Sequence, residues 1–119
     1  MIVVAAMIDF ATQADRDQAV LETGPVQKAT RDEEPGCQAY CFAADPCVPT
    51  RIQVYELWDD APTLAAHFKH QNYEDMKTVL GKYGIVNNWN RMYRVTDEEP
   101  VYDAAGQPRE ADAFFGGKA

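Results

Sequence analysis

The sequence predicts an α+β domain in which a four-stranded antiparallel sheet carries helices on one face, in the split βαβ order. Three observations predict it. The run Arg51-Ile52-Gln53-Val54-Tyr55-Glu56-Leu57-Trp58-Asp59-Asp60 alternates like a strand, ends on an aromatic and stops at a helix cap. The chain before it reads as strand, helix, strand, and the chain after it as helices that return to a last strand. The second and third strands are joined by a loop without a helix, which makes them a hairpin.

Taken in order, Ile2 to Phe10 is a nearly continuous apolar run and reads as the first strand. Thr12 and Asp15 offer caps for a helix through about Arg31, with Ala19, Val20, Thr23, Val26 and Thr30 at helical spacing. Gly24-Pro25 falls inside it, where proline removes the hydrogen bond to the Leu21 carbonyl, so a kink or break is expected there. Asp32 to Gly36 is an acidic stretch ending in a turn dipeptide. Cys37 to Ala43 is the second strand, with Gln38, Tyr40 and Phe42 on one face and Cys37, Ala39, Cys41 and Ala43 on the other. Asp45 to Pro49 forms a rigid, proline-containing connection to the third strand, where Ile52, Val54, Glu56 and Trp58 share a face. Glu56 is out of place on that apolar face, and an ion pair with Arg51, Arg91 or Arg94 is its expected structural role.

Asp60 as N-cap and Pro62 in the first turn start a short helix that carries Ala61, Leu64, Ala65 and Phe68 inward, with His67 at the border and His70 facing away. Asn72 caps a second short helix with Tyr73, Met76, Leu80 and Tyr83 as its stripe, and Gly84 ends it. Ile85 to Val95 is the last strand, with polar groups on both faces. Residues 1–95 therefore form the domain. Residues 96–119 form a tail whose Tyr102, Phe114 and Phe115 suit packing across a partner subunit or onto its own domain. One face of the sheet lacks cover, and two copies laid sheet to sheet supply it, so a homodimer is expected.

The totals narrow the function classes. At 119 residues, 46% hydrophobic and 25% charged, the composition is that of one folded domain. A net charge of −8 and a pI of about 4.6, without a dense Lys/Arg cluster, argue against nucleic acid as a partner. The apolar start, Met1 to Ile8, lacks a basic flank, is too short to span a bilayer and runs into Asp9, so it reads as a strand and no membrane is expected. Cys37, Cys41 and Cys47 are an odd number at spacings unlike CxxC; buried reduced thiols in a cytoplasmic protein are the expectation. The two histidines are not spaced with a carboxylate as a metal site, so no metal is expected.

Glu34-Pro35-Gly36-Cys37, Tyr40, Asp45-Pro46, Val54-Tyr55-Glu56-Leu57-Trp58-Asp59-Asp60, Leu64-Ala65-Ala66-His67-Phe68 and Tyr73 resemble the antibiotic biosynthesis monooxygenase (ABM) family over about residues 2–95. The resemblance implies a ferredoxin-like dimeric α/β barrel and often a cofactor-independent oxygenase that joins O₂ to quinols or polycyclic phenols. Trp58 matches an active-site tryptophan of the actinorhodin-type members, whereas Val54 stands at their asparagine and Leu64 at their helix tyrosine. The residues that the haem-degrading members use, an Asn, a Trp and a His, are replaced by Ala6, His67 and Lys77, which disfavours haem.

Cofactor-free oxygenation needs a dry apolar pocket, a base for a phenolic proton and room for oxygen. His67 is the expected base, with Trp58 and Tyr73 beside it as catalytic candidates. Asn88, Asn90 and Tyr40 are the expected substrate-binding groups, and Asn88 and Asn90 share a strand face. The expected substrate is a small aromatic, quinol or polyketide-like molecule. Two other readings stay open: an isomerase or other small-molecule enzyme on the same fold, and a non-catalytic ligand-binding dimer.

Overall fold

A computed structural model describes residues 1–117; Lys118 and Ala119, the end of the expected tail, lie outside the described residues. The chain runs β1 (Ile2–Phe10), α1 (Gln13–Glu33), β2 (Cys37–Ala44), β3 (Arg51–Trp58), α2 (Ala61–Phe68), α3 (Gln71–Tyr83) and β4 (Ile85–Arg94). The four strands form one sheet in the order β2-β3-β1-β4, with each neighbouring pair antiparallel. This is the ferredoxin-like arrangement, and its register decides what the inner face presents. Val4 pairs with Glu56 and Met92, Ala6 with Val54 and Asn90, and Ile8 with Ile52 and Asn88. Alternation then sends all of these side chains to one face.

On that face Ala6, Ile8, Phe10, Tyr40, Phe42, Ile52, Val54 and Trp58 are buried against the helices, joined by Ala19, Leu64, Met76 and Leu80. The buried stripe of α1 is mostly polar: Arg16, Ala19, Thr23, Gln27 and Thr30. Each polar member is satisfied. Gln27 donates from Nε2 to the Phe42 carbonyl (3.2 Å) and accepts at Oε1 from the Phe42 N–H (2.9 Å), so its amide takes the place of a strand beside the free edge of β2. Arg31 donates to the Tyr40 carbonyl (2.7 Å) on the same edge. Arg16 gathers the carbonyls of Asp45, Val48 and Arg51, fixing the β2–β3 connection.

Five expectations are corrected here. The helix does not break at Gly24-Pro25: α1 is continuous with Pro25 inside it. Gly24 and Pro25 are both exposed, so water can reach the carbonyl that proline leaves unpartnered, while Thr23 and Gln27 hold the opposite face to the sheet. The N-cap of α3 is His70, whose Nδ1 accepts from the Asn72 N–H (3.0 Å), and Asn72 is the second residue of the helix, buried. The inward face of α2 is Leu64 and His67; Ala61 and Ala65 are exposed and Phe68 is half-exposed. The cysteines are free, but only Cys37 is part-buried, because Cys41 faces the outer side of the sheet and Cys47 lies in a loop. A register shift between Cys37 and Ala39 also turns Gln38 away from the face of Tyr40 and Phe42.

The outer face of the sheet carries an open apolar patch beside Arg91, Gln53 and the Arg51–Asp9 pair. Tyr55, Trp89 and Tyr93 are exposed there beside half-buried Val3, Ala5, Met7 and Leu57. Residues 96–117 fold on themselves: Tyr102 bridges Pro108, Arg109 pairs with Glu99 (2.7 Å) and a 3₁₀ turn follows at Ala111–Gly117. Val101, Tyr102, Phe114 and Phe115 remain exposed. No described helix is long and apolar enough to cross a membrane.

The exposed helical Gly24 yields a stability prediction. Beyond its chain neighbours a methyl group there meets nothing within 4 Å, but Pro25 follows, and its ring crowds a Cβ on the helical residue before it. The helix-propensity gain of about 1 kcal/mol is offset by that crowding, so Gly24→Ala is expected to bring no gain in the free energy of unfolding in urea.

Candidate functional site

A cavity of about 530 Å³ lies between the inner face of the sheet and helices α2 and α3. That volume suits a small organic ligand. Val4, Ala6, Ile8 and Val54 form its floor and Leu64, Met76 and Leu80 its roof. Into this apolar space project Tyr40, Glu56, His67, Tyr73, Asn88 and Asn90. Two lining residues, Lys77 and Arg91, are cationic in a chain that is otherwise acidic.

His67 is placed by a helix that the sequence starts well. Asp60 accepts from the Thr63 N–H (2.9 Å) and Thr63 Oγ1 accepts from the Asp60 N–H (3.3 Å), a reciprocal capping box with Pro62 in the first turn. One turn later His67 is only 2% exposed, and its Nδ1 lies 2.8 Å from Glu34 Oε1. A carboxylate only accepts, so Nδ1 donates to Glu34 and Nε2 is the ring nitrogen left for the cavity. Glu34 is held in turn: Asn72 Nδ2 donates to Oε2 (3.1 Å), and the Glu34 N–H caps the end of α1 on the Thr30 carbonyl. Around the imidazole stand Trp58, Tyr40, Tyr73 and Phe68, at centroid distances of 4.7, 5.3, 5.4 and 5.9 Å.

Trp58 does not line the cavity. It is fully buried one layer behind, with its ring against His67 and its Nε1–H donated to Glu56 Oε1 (2.9 Å). Glu56 lines the cavity and has no Arg partner, contrary to the expected ion pair. The reason is strand parity: Arg51 is five residues away on β3 and so on the other face, where it pairs with Asp9 (2.7 Å). Arg91 is opposite Ala5, also across the sheet from Glu56. Burial, aided by the Glu34 charge, pushes the Glu56 carboxyl up to about 7 despite the Trp58 hydrogen bond. Burial and the charges of Glu56 and Glu34 push the Tyr40 phenol far up, so it stays a neutral hydroxyl. Cys37 is pushed up to about 11, chiefly by burial, and stays a thiol.

His67, Tyr73, Tyr40, Asn88 and Asn90 thus share one cavity, but the asparagines are exposed on β4 and belong to its rim. Asn90 donates to Asn88 Oδ1 (3.4 Å), which ties the two together. His70 is part-exposed and serves the α3 cap. Sequence reasoning missed Glu34 and Asn72. Glu34 lies 33 positions from His67 within an acidic run, and no local pattern marks the one acid that turns inward.

The sequence profile of the antibiotic biosynthesis monooxygenase family matches residues 1–79, which covers β1 through most of α3 and leaves out β4. No curated protein matches the chain. Among solved structures, a protein of Deinococcus radiodurans provisionally assigned as an antibiotic biosynthesis monooxygenase is 17% identical, with 87% of this chain and all of that one covered and a TM-score of 0.71. A similarly assigned protein of Caulobacter crescentus is 15% identical over 81% of this chain and 90% of that one, with a TM-score of 0.72. A monooxygenase of Streptomyces coelicolor solved with nanaomycin D is 18% identical over 83% and 90%, with a TM-score of 0.67. At these identities the structures establish a shared fold.

Two stability experiments follow from the site. Glu34→Ala leaves the His67 N–H and the Asn72 amide buried without their acceptor and is expected to cost about 3 kcal/mol in urea unfolding. Glu56 has the opposite sign at neutral pH. Its carboxyl rises from an ordinary 4.5 to about 7 on folding, so between those values the native state binds more protons than the unfolded chain and stability falls as pH rises. Relative to wild type, Glu56→Gln is expected to gain about 3 kcal/mol on moving from pH 4 to pH 8, measured by urea unfolding at each pH.

Proposed function

The chain belongs to the antibiotic biosynthesis monooxygenase family, and from that premise we propose that it is a cofactor-independent monooxygenase that oxidises a small aromatic, quinol or polyketide-like substrate with O₂. The observation that carries this reading is the buried Glu34–His67 pair opening onto an apolar cavity of about 530 Å³. A phenolic substrate in that cavity meets Nε2 of His67 as a base whose tautomer and orientation are fixed from behind. Removing the phenolic proton makes the ring electron-rich enough to pass an electron to O₂, and the apolar walls exclude water that would compete for the base. Tyr73 and Tyr40 supply hydroxyls, Asn88 and Asn90 hydrogen bonds at the rim, and Trp58 packs His67 in place.

The working unit in this proposal is a cytoplasmic homodimer. The open apolar sheet face around Tyr55, Trp89 and Tyr93 is the surface that a second copy would cover, and residues 96–117, with Phe114 and Phe115 exposed, would pack across it. In the same cavity, a carboxyl near neutrality beside a histidine base also suits an isomerase that moves protons without oxygen. Activity that survives strict anaerobiosis would favour that second reading.

Oxygen uptake with a panel of hydroquinones and anthrones tests the proposal. Turnover above the buffer rate is expected, with a loss of at least ~100-fold in kcat for folded His67→Ala. A folded protein that consumes no O₂ beyond buffer would contradict it. Sedimentation is expected to show a dimer, and Tyr55→Asp together with Trp89→Asp to give monomers.

A further inference from the structure

We propose that Glu56 is a second catalytic residue, the proton donor to the oxygen atom that leaves when the substrate–O₂ adduct collapses. The inference rests on the monooxygenase reading above and deepens it. Glu56 lines the cavity from β3, while His67 lines it from α2, and the same indole serves both: Trp58 gives its N–H to Glu56 and its ring face to His67. The cavity therefore holds two proton-transfer groups in fixed relation.

The arrangement of the carboxyl decides its role. Trp58 Nε1 only donates, so Oε1 of Glu56 is an acceptor, and a proton on the group resides on Oε2. Oε2 has no hydrogen-bond partner among the described residues and is not sealed from the cavity. No Lys or Arg forms a salt bridge with Glu56 among the described residues, so its 7% exposed side chain carries no compensating cation. An uncompensated buried carboxylate is costly, and the group is held in the acid form well above the usual carboxylate range. The groups that face it are Glu34, Cys37 and Tyr40 at the β2 side, His67 on α2, and Tyr73 and Lys77 on α3; Arg91 touches the cavity but lies on β4 across the sheet, α1 sends Arg31 only as far as the Tyr40 carbonyl, and β1 offers Val4 and Ala6. Of these, Glu34 is the charge that raises it.

On an anthrone, where a CH₂ group is flanked by aromatic rings, the steps balance as follows. His67 removes one proton, the carbanion-like enolate and O₂ combine through electron transfer, and the adduct takes that proton back to give a carbon-bound hydroperoxide. His67 then removes the remaining C–H proton, the C–H electron pair becomes the second bond of a C=O, and the O–O bond breaks. The departing hydroxide takes the proton of Glu56 and leaves as water. The carbon is oxidised, O₂ is reduced, and proton transfer from the imidazolium to the Glu56 carboxylate restores the site.

Glu56→Gln keeps the volume and an oxygen for Trp58 but cannot donate an acidic proton. With anthrone as substrate, the wild-type kcat is expected to fall as pH rises through about 7. In the variant, kcat is expected to drop about 100-fold with KM within about threefold, that limb to vanish, and a substrate hydroperoxide to accumulate in single turnover, detected by ferrous oxidation. Glu56→Asp, which restores an acid one methylene further back, is expected to recover part of the rate and the limb. Wild-type kcat and an unchanged pH profile in Glu56→Gln would overturn the role of Glu56 alone. A wild-type protein that takes up no O₂ with anthrone would overturn the monooxygenase reading and this inference with it.

Discussion

The hydrogen bond between Glu34 and His67, 2.8 Å long and buried at both ends, joins the C-cap residue of α1 to the last turn of α2. Much of the architecture on the helical side depends on it. Glu34 caps α1 through its N–H, receives Asn72 of α3 on its other oxygen, and fixes the imidazole that α2 delivers. Three helices thus meet at one carboxylate. Such a group is tolerated in the interior because its acceptor capacity is met by donors, and the same bonds that make it tolerable give the histidine a defined tautomer. Stability and site geometry rest on one set of contacts.

A second carboxyl shows the contrasting case. Glu56 sits on the same inner face, but its one protein partner is a neutral indole N–H rather than a cation or a charged network. Identical side chains therefore meet different environments at one site: Glu34 serves as an acceptor behind His67, outside the cavity, whereas Glu56 is driven toward its acid form at the cavity wall. Trp58 is the element that connects them. The sequence marks it as a catalytic candidate, and its place behind the cavity wall makes it a positioning group for both His67 and Glu56.

Much of the fold could be read from local patterns, and the reasons are physical. Alternation marked β3, the Asp60–Pro62 cap marked α2, and Gly84, with φ of 77°, marked the end of α3. Proline in α1 does not end the helix because the local penalty is outweighed by the sheet that holds the helix's opposite face. The site was only half legible. His67 and Tyr73 stood out by residue type and helix face, and the parity that separates Arg51 from Glu56 was already countable along β3. Glu34 and Asn72 could not be found this way, since their roles arise from contacts 33 and 38 residues apart. The rim position of Asn88 and Asn90 could not be read, because the last strand carries polar groups on both faces and does not show which side the helices cover.

The claim that Glu34 sets His67 up as a base open to the cavity can be observed directly. Long-range nitrogen–proton correlation NMR of the ¹⁵N-labelled protein at neutral pH reports which imidazole nitrogen carries the proton. The expected result is His67 with the proton on Nδ1 and Nε2 unprotonated, a state lost in Glu34→Gln. A proton on Nε2 alone in the wild type, or a tautomer indifferent to the loss of Glu34, would contradict the account.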